Sequence, residues 1–242
     1  MIEFHYVHTP NARKVRIMLA ETGFAFHRID YDVRAGDHLV PAFRKLNPNN
    51  KLPVIRDLAP AASAEPVTVF ESGAILIYLA EKAAQLLPAS GTQRAITLEW
   101  LMWQMSALGP MGGQAVHFRR HAPTNEIYAR RRYDNEVIRL LNVLEYRLTQ
   151  AEYLAEDYSI ADIACWPIVS AMPFFGFDLE EFVAINRWRG AIAARPAVQE
   201  AMDDSEIPDR LKANPAALTD DERSILYGER QAAAASYKAA AL

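Results

Sequence analysis

The run Thr9-Pro10-Asn11-Ala12 bears most directly on chemistry, through the residue type it lacks. It follows a strand-like segment, Ile2 to Val7, and opens a helix-like one, Val15 to Glu21. Threonine suits the N-cap of a helix, and proline suits the first helical turn, where its missing N–H would be unpaired anyway. A helix N-terminus behind a strand is also where a Cys-x-x-Cys redox pair gains thiolate character. Here the four positions carry hydroxyl, ring, amide and methyl groups. Thiol chemistry at this turn requires a sulfur that arrives with a small molecule.

The turn has enough donors for that task. A cysteine-type thiol has a pKa of ~8.5, which leaves only a few per cent thiolate at neutral pH. Lowering it by two units takes about 2.7 kcal/mol of preference for the anion. A helix N-terminus supplies roughly 0.3–1 kcal/mol, or ~2 if partly buried. One hydrogen bond to the charged sulfur supplies roughly 1.5–3 kcal/mol. The Thr9 hydroxyl and Asn11, by side chain or backbone N–H, are the available donors. The plainer alternative is that Thr9 only caps and Asn11 only fills the first turn.

Downstream segments decide between these readings. Asn50-Lys51-Leu52-Pro53-Val54-Ile55 places a proline at a strand start, and Val67-Thr68-Val69-Phe70-Glu71-Ser72-Gly73-Ala74-Ile75 runs a β-branched strand into a helix. With the Thr-Pro-Asn turn they resemble the glutathione-binding domain of glutathione transferases. The wording is closest to the nu class, the glutathione-dependent disulfide-bond oxidoreductases, which show Thr-Pro-Asn where other classes use Tyr, Ser or Cys. The resemblance continues through Leu98-Glu99-Trp100-Leu101-Met102-Trp103-Gln104, Leu108-Gly109-Pro110-Met111 and Tyr158 to Pro167, covering roughly residues 1 to 200. Singly these motifs are weak; their order and spacing make them specific.

The resemblance points to Thr9 and Asn11 as the catalytic donors. It implies a cis Leu52–Pro53 bond, with Leu52 pairing its backbone to the cysteinyl part of glutathione as an added strand. An ordinary edge-strand proline is the alternative. Lys51 either reaches the glycine carboxylate or is a solvated loop lysine. Ser72 reads as a helix N-cap, and the same geometry binds a carboxylate, with Glu71 complementing the γ-glutamyl ammonium. His38 stands where relatives carry glutamine; a histidine donates more strongly when protonated, so binding would weaken or become pH-dependent. In the run Arg130-Arg131-Arg132, most such arginines are solvated, and the resemblance selects Arg132 as reaching a site across a homodimer. Several glutathione transferase classes hold the thiol with a tyrosine ending the first strand. Tyr6 sits near that position, but it shares strand parity with Ile2 and Phe4, so packing explains it better.

The elements that must position these residues change character along the chain. Strands are expected at 2–7, 26–33, 53–57 and 67–70, with helices at 11–22 and 73–83. Gly23 suits a left-handed helix cap, and residues 58–66 read as a hairpin loop. Beyond a linker at 86–91 the pattern is all-helical, with an apolar stripe at Val137, Leu140, Leu141 and Leu144. The expected fold class is α/β plus all-α: a thioredoxin-like domain over 1–87, a helical domain over 93–202 and a partly helical extension over 203–242. Ser159-Ile160-Ala161-Asp162 and Thr219-Asp220-Asp221-Glu222 are capping-box patterns; the second gives a helix to about Leu226, with Gln231 to Leu242 frayed.

Composition bounds the rest. The 242 residues are 51% hydrophobic and 23% charged, which supports an ordinary core. A net charge of -4 argues against a nucleic-acid partner. The single cysteine, Cys165, excludes an internal disulfide framework, fits a reducing compartment and lies among Ile163, Ala164 and Trp166 as a small buried hydrophobe. No basic-then-apolar leader opens the sequence and no run is long enough to span a membrane, so a cytoplasmic protein with no membrane partner is expected. The six histidines show no metal spacing, so no metal is expected. Glutathione is the expected co-substrate, glutathione disulfide an alternative ligand, and a small disulfide or electrophile the second substrate. The expected activity is disulfide-bond reduction with weak transferase activity. Conjugation of a specific electrophile, or a non-catalytic regulatory role on the same fold, are the alternatives.

Overall fold

The computed structural model describes residues 1–61, 63–212 and 218–236. Four strands, β1 (Ile2–Tyr6), β2 (Phe26–Asp30), β3 (Val54–Asp57) and β4 (Val67–Phe70), form one sheet in the order β2-β1-β3-β4. β1 and β2 run parallel, joined by α1 (Pro10–Thr22), while β3 lies antiparallel to both β1 and β4. Ile2, Phe4 and Tyr6 are all at most 1% exposed, which confirms the strand parity expected of them. Gly23 takes the left-handed cap at φ 66°. The short α2 (Pro41–Arg44) follows β2, and α3 (Ser72–Ala83) follows β4.

β2 is shorter than its sequence pattern, ending at Asp30. Past it the Asp32 carboxylate accepts from the Arg34 and Ala35 N–H groups, an Asx-turn that pulls the backbone off the ladder before Val33. The linker is tied down from the other side, because the Ile160 N–H donates to the Leu86 carbonyl at 3.0 Å.

From Gly91 the described residues are helical in α4 (Gly91–Trp103), a π-helical turn (Gln104–Leu108), α5 (Gly109–Arg120), α6 (Ile127–Gln150), α7 (Ile160–Ala171), α8 (Val183–Ala193) and α9 (Pro196–Met202). The α6 stripe is buried as expected, with Leu148 extending it. α7 is the centre of this part, buried continuously from Ile160 to Val169. Its capping box is formed, and the fully buried Asp162 carboxylate also accepts from the Leu154 N–H (3.0 Å) and the Trp188 indole N–H (2.8 Å). α1 packs against α3, α7 and α9, so one hydrophobic core runs through the sheet and the helices.

Among the described residues, the extension carries more helix than its sequence implies. α10 (Asp220–Tyr227) begins on the expected capping box, and α11 (Glu229–Ala234) takes in Gln231 to Ala234, which were expected to fray. Residues 237–242 lie outside the described residues. Arg34 pairs with Glu222 at 3.2 Å and Tyr227 meets the His117 ring, so α10 bridges the loop after β2 and the end of α5. No helix among the described residues is long and apolar enough to cross a membrane.

Candidate functional site

Three short segments meet at one cavity of about 180 Å³: the start of α1, the loop before β3 and the start of α3. Asn11, Lys51, Leu52, Pro53, Glu71 and Ser72 line it, together with Asn47, Asn49 and Met105. Six of the nine residues expected from sequence thus come together. Thr9 adjoins the cavity's Asn11 end through the backbone, while His38 and Arg132 lie outside the lining.

The thiol end is the α1 N-terminus. Thr9 holds the N-cap position with φ −138° and ψ 159°, yet its hydroxyl makes no capping hydrogen bond. Thr9 caps through its backbone alone, its carbonyl accepting from the Arg13 N–H at 3.0 Å. Asn11 is exposed, and among the described residues its side chain makes no hydrogen bond either. Behind the turn, the Tyr6 hydroxyl lies 3.0 Å from His8 Nδ1, and Arg13 donates to His8 Nε2 at 3.0 Å and to Asp204 at 2.8 Å. Arg16 pairs with the same carboxylate at 3.1 Å. Burial raises the Tyr6 hydroxyl above its ordinary range, and His8 and Arg16 both engage it. This network, which no local pattern announces, ties the turn to the segment after α9.

The loop before β3 supplies the middle of the site. Leu52–Pro53 is cis, as the resemblance implied. The Leu52 N–H and C=O pair with nothing among the described residues, which leaves both for an extended ligand. The loop is shaped by its asparagines. Asn47 Nδ2 donates to the Lys51 carbonyl at 2.7 Å, the Asn49 N–H to Asn47 Oδ1 at 2.9 Å, and Asn50 Nδ2 to the His38 carbonyl at 2.7 Å. The Asn47-Pro48-Asn49-Asn50 cluster was the signal for this, since asparagine side chains mimic backbone turns and tolerate positive φ, here 53° at Asn50.

His38 serves this loop by its backbone. Its ring is buried, with Nδ1 unpartnered, and burial pushes its pKa down to about 4. At neutral pH this imidazole carries no charge, so the stronger donation of a protonated ring does not operate there. Arg132 sits on α6, 55% exposed and 3.8 Å from Glu136, away from the cavity of its own chain.

The third segment starts α3. Glu71, not Ser72, takes the N-cap place, and Ser72 is the first helical residue. Glu71 has φ 70° and ψ 118°, a strained conformation for a residue with a side chain, which costs of order 1–3 kcal/mol and is characteristic of functional sites. Its carboxylate reaches Asn49 Nδ2 at 3.5 Å. Ser72 is 3% exposed and lines the cavity at the helix start, where the first backbone N–H groups have no intrahelical partner; its hydroxyl lies 3.7 Å from Met105 Sδ. A Cβ at Gly73 would come 3.0 Å from Met105 Cγ, so the glycine lets Met105 enter the lining.

A larger cavity of about 520 Å³ opens between β2 and α9. Its arginines are already engaged, Arg16 by Asp204 and Arg28 by Asp30. Cys165 is fully buried in α7 and burial pushes its thiol well above the ordinary range. Among the described residues no group of three or more metal-ligating side chains occurs. The site therefore combines two helix N-termini, an unpaired strand-like backbone and two uncommitted polar donors.

Comparison with known proteins agrees with this arrangement. Residues 1–81 match the glutathione S-transferase N-terminal domain. The chain is 43% identical to the disulfide-bond oxidoreductase YfcG of Escherichia coli over 210 residues, covering 86% of this chain and 98% of that protein. A glutathione transferase from Pseudomonas putida, solved with one glutathione disulfide per subunit, superposes with a TM-score of 0.78 at 40% identity, covering 86% of this chain and 91% of that one. One from Burkholderia graminis, with two glutathione molecules per subunit, gives 0.81 at 40% identity, covering 86% and 89%. On its sequence, its fold and the residues gathered at the cavity, the chain belongs to the glutathione S-transferase family.

Proposed function

We propose that the protein is a glutathione-dependent disulfide-bond oxidoreductase of the nu class, acting as a cytoplasmic homodimer with weak transferase activity. The observation that carries this reading is a cysteine-free helix start, with free Thr9 and Asn11 donors, opening onto a cavity that can grip a γ-glutamyl peptide. Ser72 and the α3 N-terminus take the γ-glutamyl carboxylate, and Glu71 takes the ammonium. Leu52 pairs with the cysteinyl backbone beside Pro53, and Lys51 faces the glycine carboxylate. That places sulfur at the α1 start, where Thr9 and Asn11 donate to it.

Bound glutathione thiolate attacks one sulfur of a disulfide. The S–S bond breaks, a mixed disulfide forms, and the departing thiolate takes up a proton. A second glutathione attacks the mixed disulfide, giving glutathione disulfide and the second thiol. The two electrons come from the two glutathione thiols. Exchange is fastest when the attacking thiol's pKa lies near ambient pH, which a shift of about two units achieves. The names of the relatives support this: YfcG is a disulfide-bond oxidoreductase, and the Burkholderia enzyme holds two glutathione molecules per subunit. Arg132, exposed on α6, is the residue we assign to the second glutathione across the dimer, where its guanidinium suits a carboxylate.

The test is reduction of a small disulfide by glutathione, run beside conjugation of an aromatic electrophile. Disulfide reduction well above the conjugation rate is expected. Conjugation alone would make the protein a transferase of a specific electrophile, and glutathione binding without turnover would make it a regulator.

A further inference from the structure

Lys14 is the only buried lysine among the described residues, at 1% exposure. It leaves α1 just past the thiol end and runs behind the start of α3. Its Nζ donates to Gln104 Oε1 at 2.7 Å and lies 3.4 Å from Ser72 Oγ and 3.7 Å from Met105 Sδ. An ammonium has three donors, and here all three meet neutral groups. It forms no ion pair among the described residues. Two titratable groups face it. Glu71 directs its carboxylate at Asn49, and Cys165 on α7 is a neutral thiol because burial raises its pKa. Burial pushes the Lys14 ammonium down to about 8, so it keeps its charge at pH 7. A buried cation without a protein anion is costly unless something else compensates it.

We propose that Lys14 is the buried counter-charge for the γ-glutamyl carboxylate, acting through the Ser72 hydroxyl and held in place by Gln104. This rests on the glutathione reading of the cavity. Lys14 donates to Ser72 Oγ, which leaves the serine O–H to donate outward. Its alternative acceptor is Met105 Sδ at 3.7 Å, a weak partner that a carboxylate replaces. The carboxylate then receives a charge-assisted hydrogen bond from a hydroxyl polarised from behind. Lys14 is thus a positioning residue, with Ser72 touching the ligand.

Gln104 gives the helical part a share in the site. It opens the π-helical turn, a local irregularity that recurs at functional sites. A Cβ at Gly109 would come 2.8 Å from Gln104 Nε2, so the glycine is what leaves room for the amide. The Gln104 and Gly109 motifs, which carried no chemistry in the sequence, acquire one here.

The experiment measures two affinities by calorimetry at pH 7. One ligand is S-methylglutathione; the other replaces its γ-glutamyl group by 4-aminobutanoyl, which removes only the carboxylate. The wild-type protein is expected to favour the first by ~10-fold or more, the range of a charge-assisted bond. Lys14→Met is expected to bring that ratio down by ~10-fold, with the carboxylate-free ligand changing less than ~3-fold. Gln104→Glu keeps the lysine but gives it a protein carboxylate, and is expected to lower the ratio as well, which decides the matter if Lys14→Met does not fold. Equal losses for both ligands, or an unchanged ratio in the variants, would overturn the role of Lys14 alone. Failure of wild type to bind S-methylglutathione would overturn the glutathione reading itself, and this inference with it.

Discussion

At the start of α1, Thr9 and Asn11 keep their polar side chains free of intramolecular hydrogen bonds, with Asn11 exposed. At the start of α3, Ser72 is 3% exposed, Glu71 is held at a positive φ, and Lys14 stands behind them. Both are helix N-termini facing one cavity, yet the first leaves its side chains uncommitted, while the second pairs a buried Ser72 with an exposed but strained Glu71. The difference matches the two tasks of a thiol-exchange site. One end must stabilise an anion that changes partners during reaction, so its donors stay uncommitted. The other must grip the same group throughout, so its geometry is fixed in advance and costs backbone strain.

If that contrast holds, substitutions at the two ends separate binding from chemistry. The largest effect on affinity belongs to the gripping end. Ser72→Ala and Glu71→Ala are each expected to weaken glutathione binding by roughly 10–100-fold, the equivalent of a hydrogen bond to a charged group of about 1.5–3 kcal/mol. Turnover at saturation should change less. Calorimetry with glutathione checks the first part and kcat the second; unchanged affinity in both variants removes the γ-glutamyl end from α3.

A medium effect concerns His38, whose backbone supports the loop between the ends. Its folded pKa of about 4 lies below the ordinary 6.5, so the unfolded chain binds the extra proton between those values. Stability is therefore expected to rise with pH across about 4 to 6.5. His38→Gln should flatten that rise in denaturant midpoints. Glutathione affinity between pH 6 and 8 should stay level with respect to this residue; a pH dependence there that His38→Gln abolishes would restore the protonated-donor reading.

The smallest effect is expected at Cys165. Cys165→Ser should leave glutathione-dependent disulfide reduction within a few-fold of wild type, because the nucleophilic sulfur belongs to glutathione. A lower melting temperature fits its full burial in α7. Complete loss of activity in a folded variant would place the sulfur in the protein instead.

Much of this was legible in the chain itself, for physical reasons that also mark where legibility ends. Alternating apolar residues marked β1 and the inward face of Tyr6, and period 3.6 marked the α6 stripe. Both capping boxes were readable because they are local, three residues apart. The cis bond before Pro53 came only through resemblance. Asn47 and Asn49 were missed although their Asn-Pro-Asn-Asn setting signals side-chain-built turns. Lys14, Gln104 and Met105 could not be found, because they meet from two helices 90 residues apart. On sequence pattern, a lysine in the first turns of an amphipathic helix reads as solvated, and only tertiary packing buries it. The same holds for Asp204, which braces Arg13 from beyond α9.

The central claim is that the α1 turn, and not Tyr6 or any protein cysteine, sets the reactivity of the bound thiol. Thiolate absorbance of the glutathione complex, titrated against pH, measures this directly. In wild type the bound thiol is expected to titrate about two units below the free value of ~8.5. Asn11→Ala is expected to return it upward by ~1–2 units, the equivalent of one charge-assisted bond, while Tyr6→Phe leaves the curve in place. An upward shift in Tyr6→Phe with none in Asn11→Ala would contradict the account and make this a tyrosine-type site.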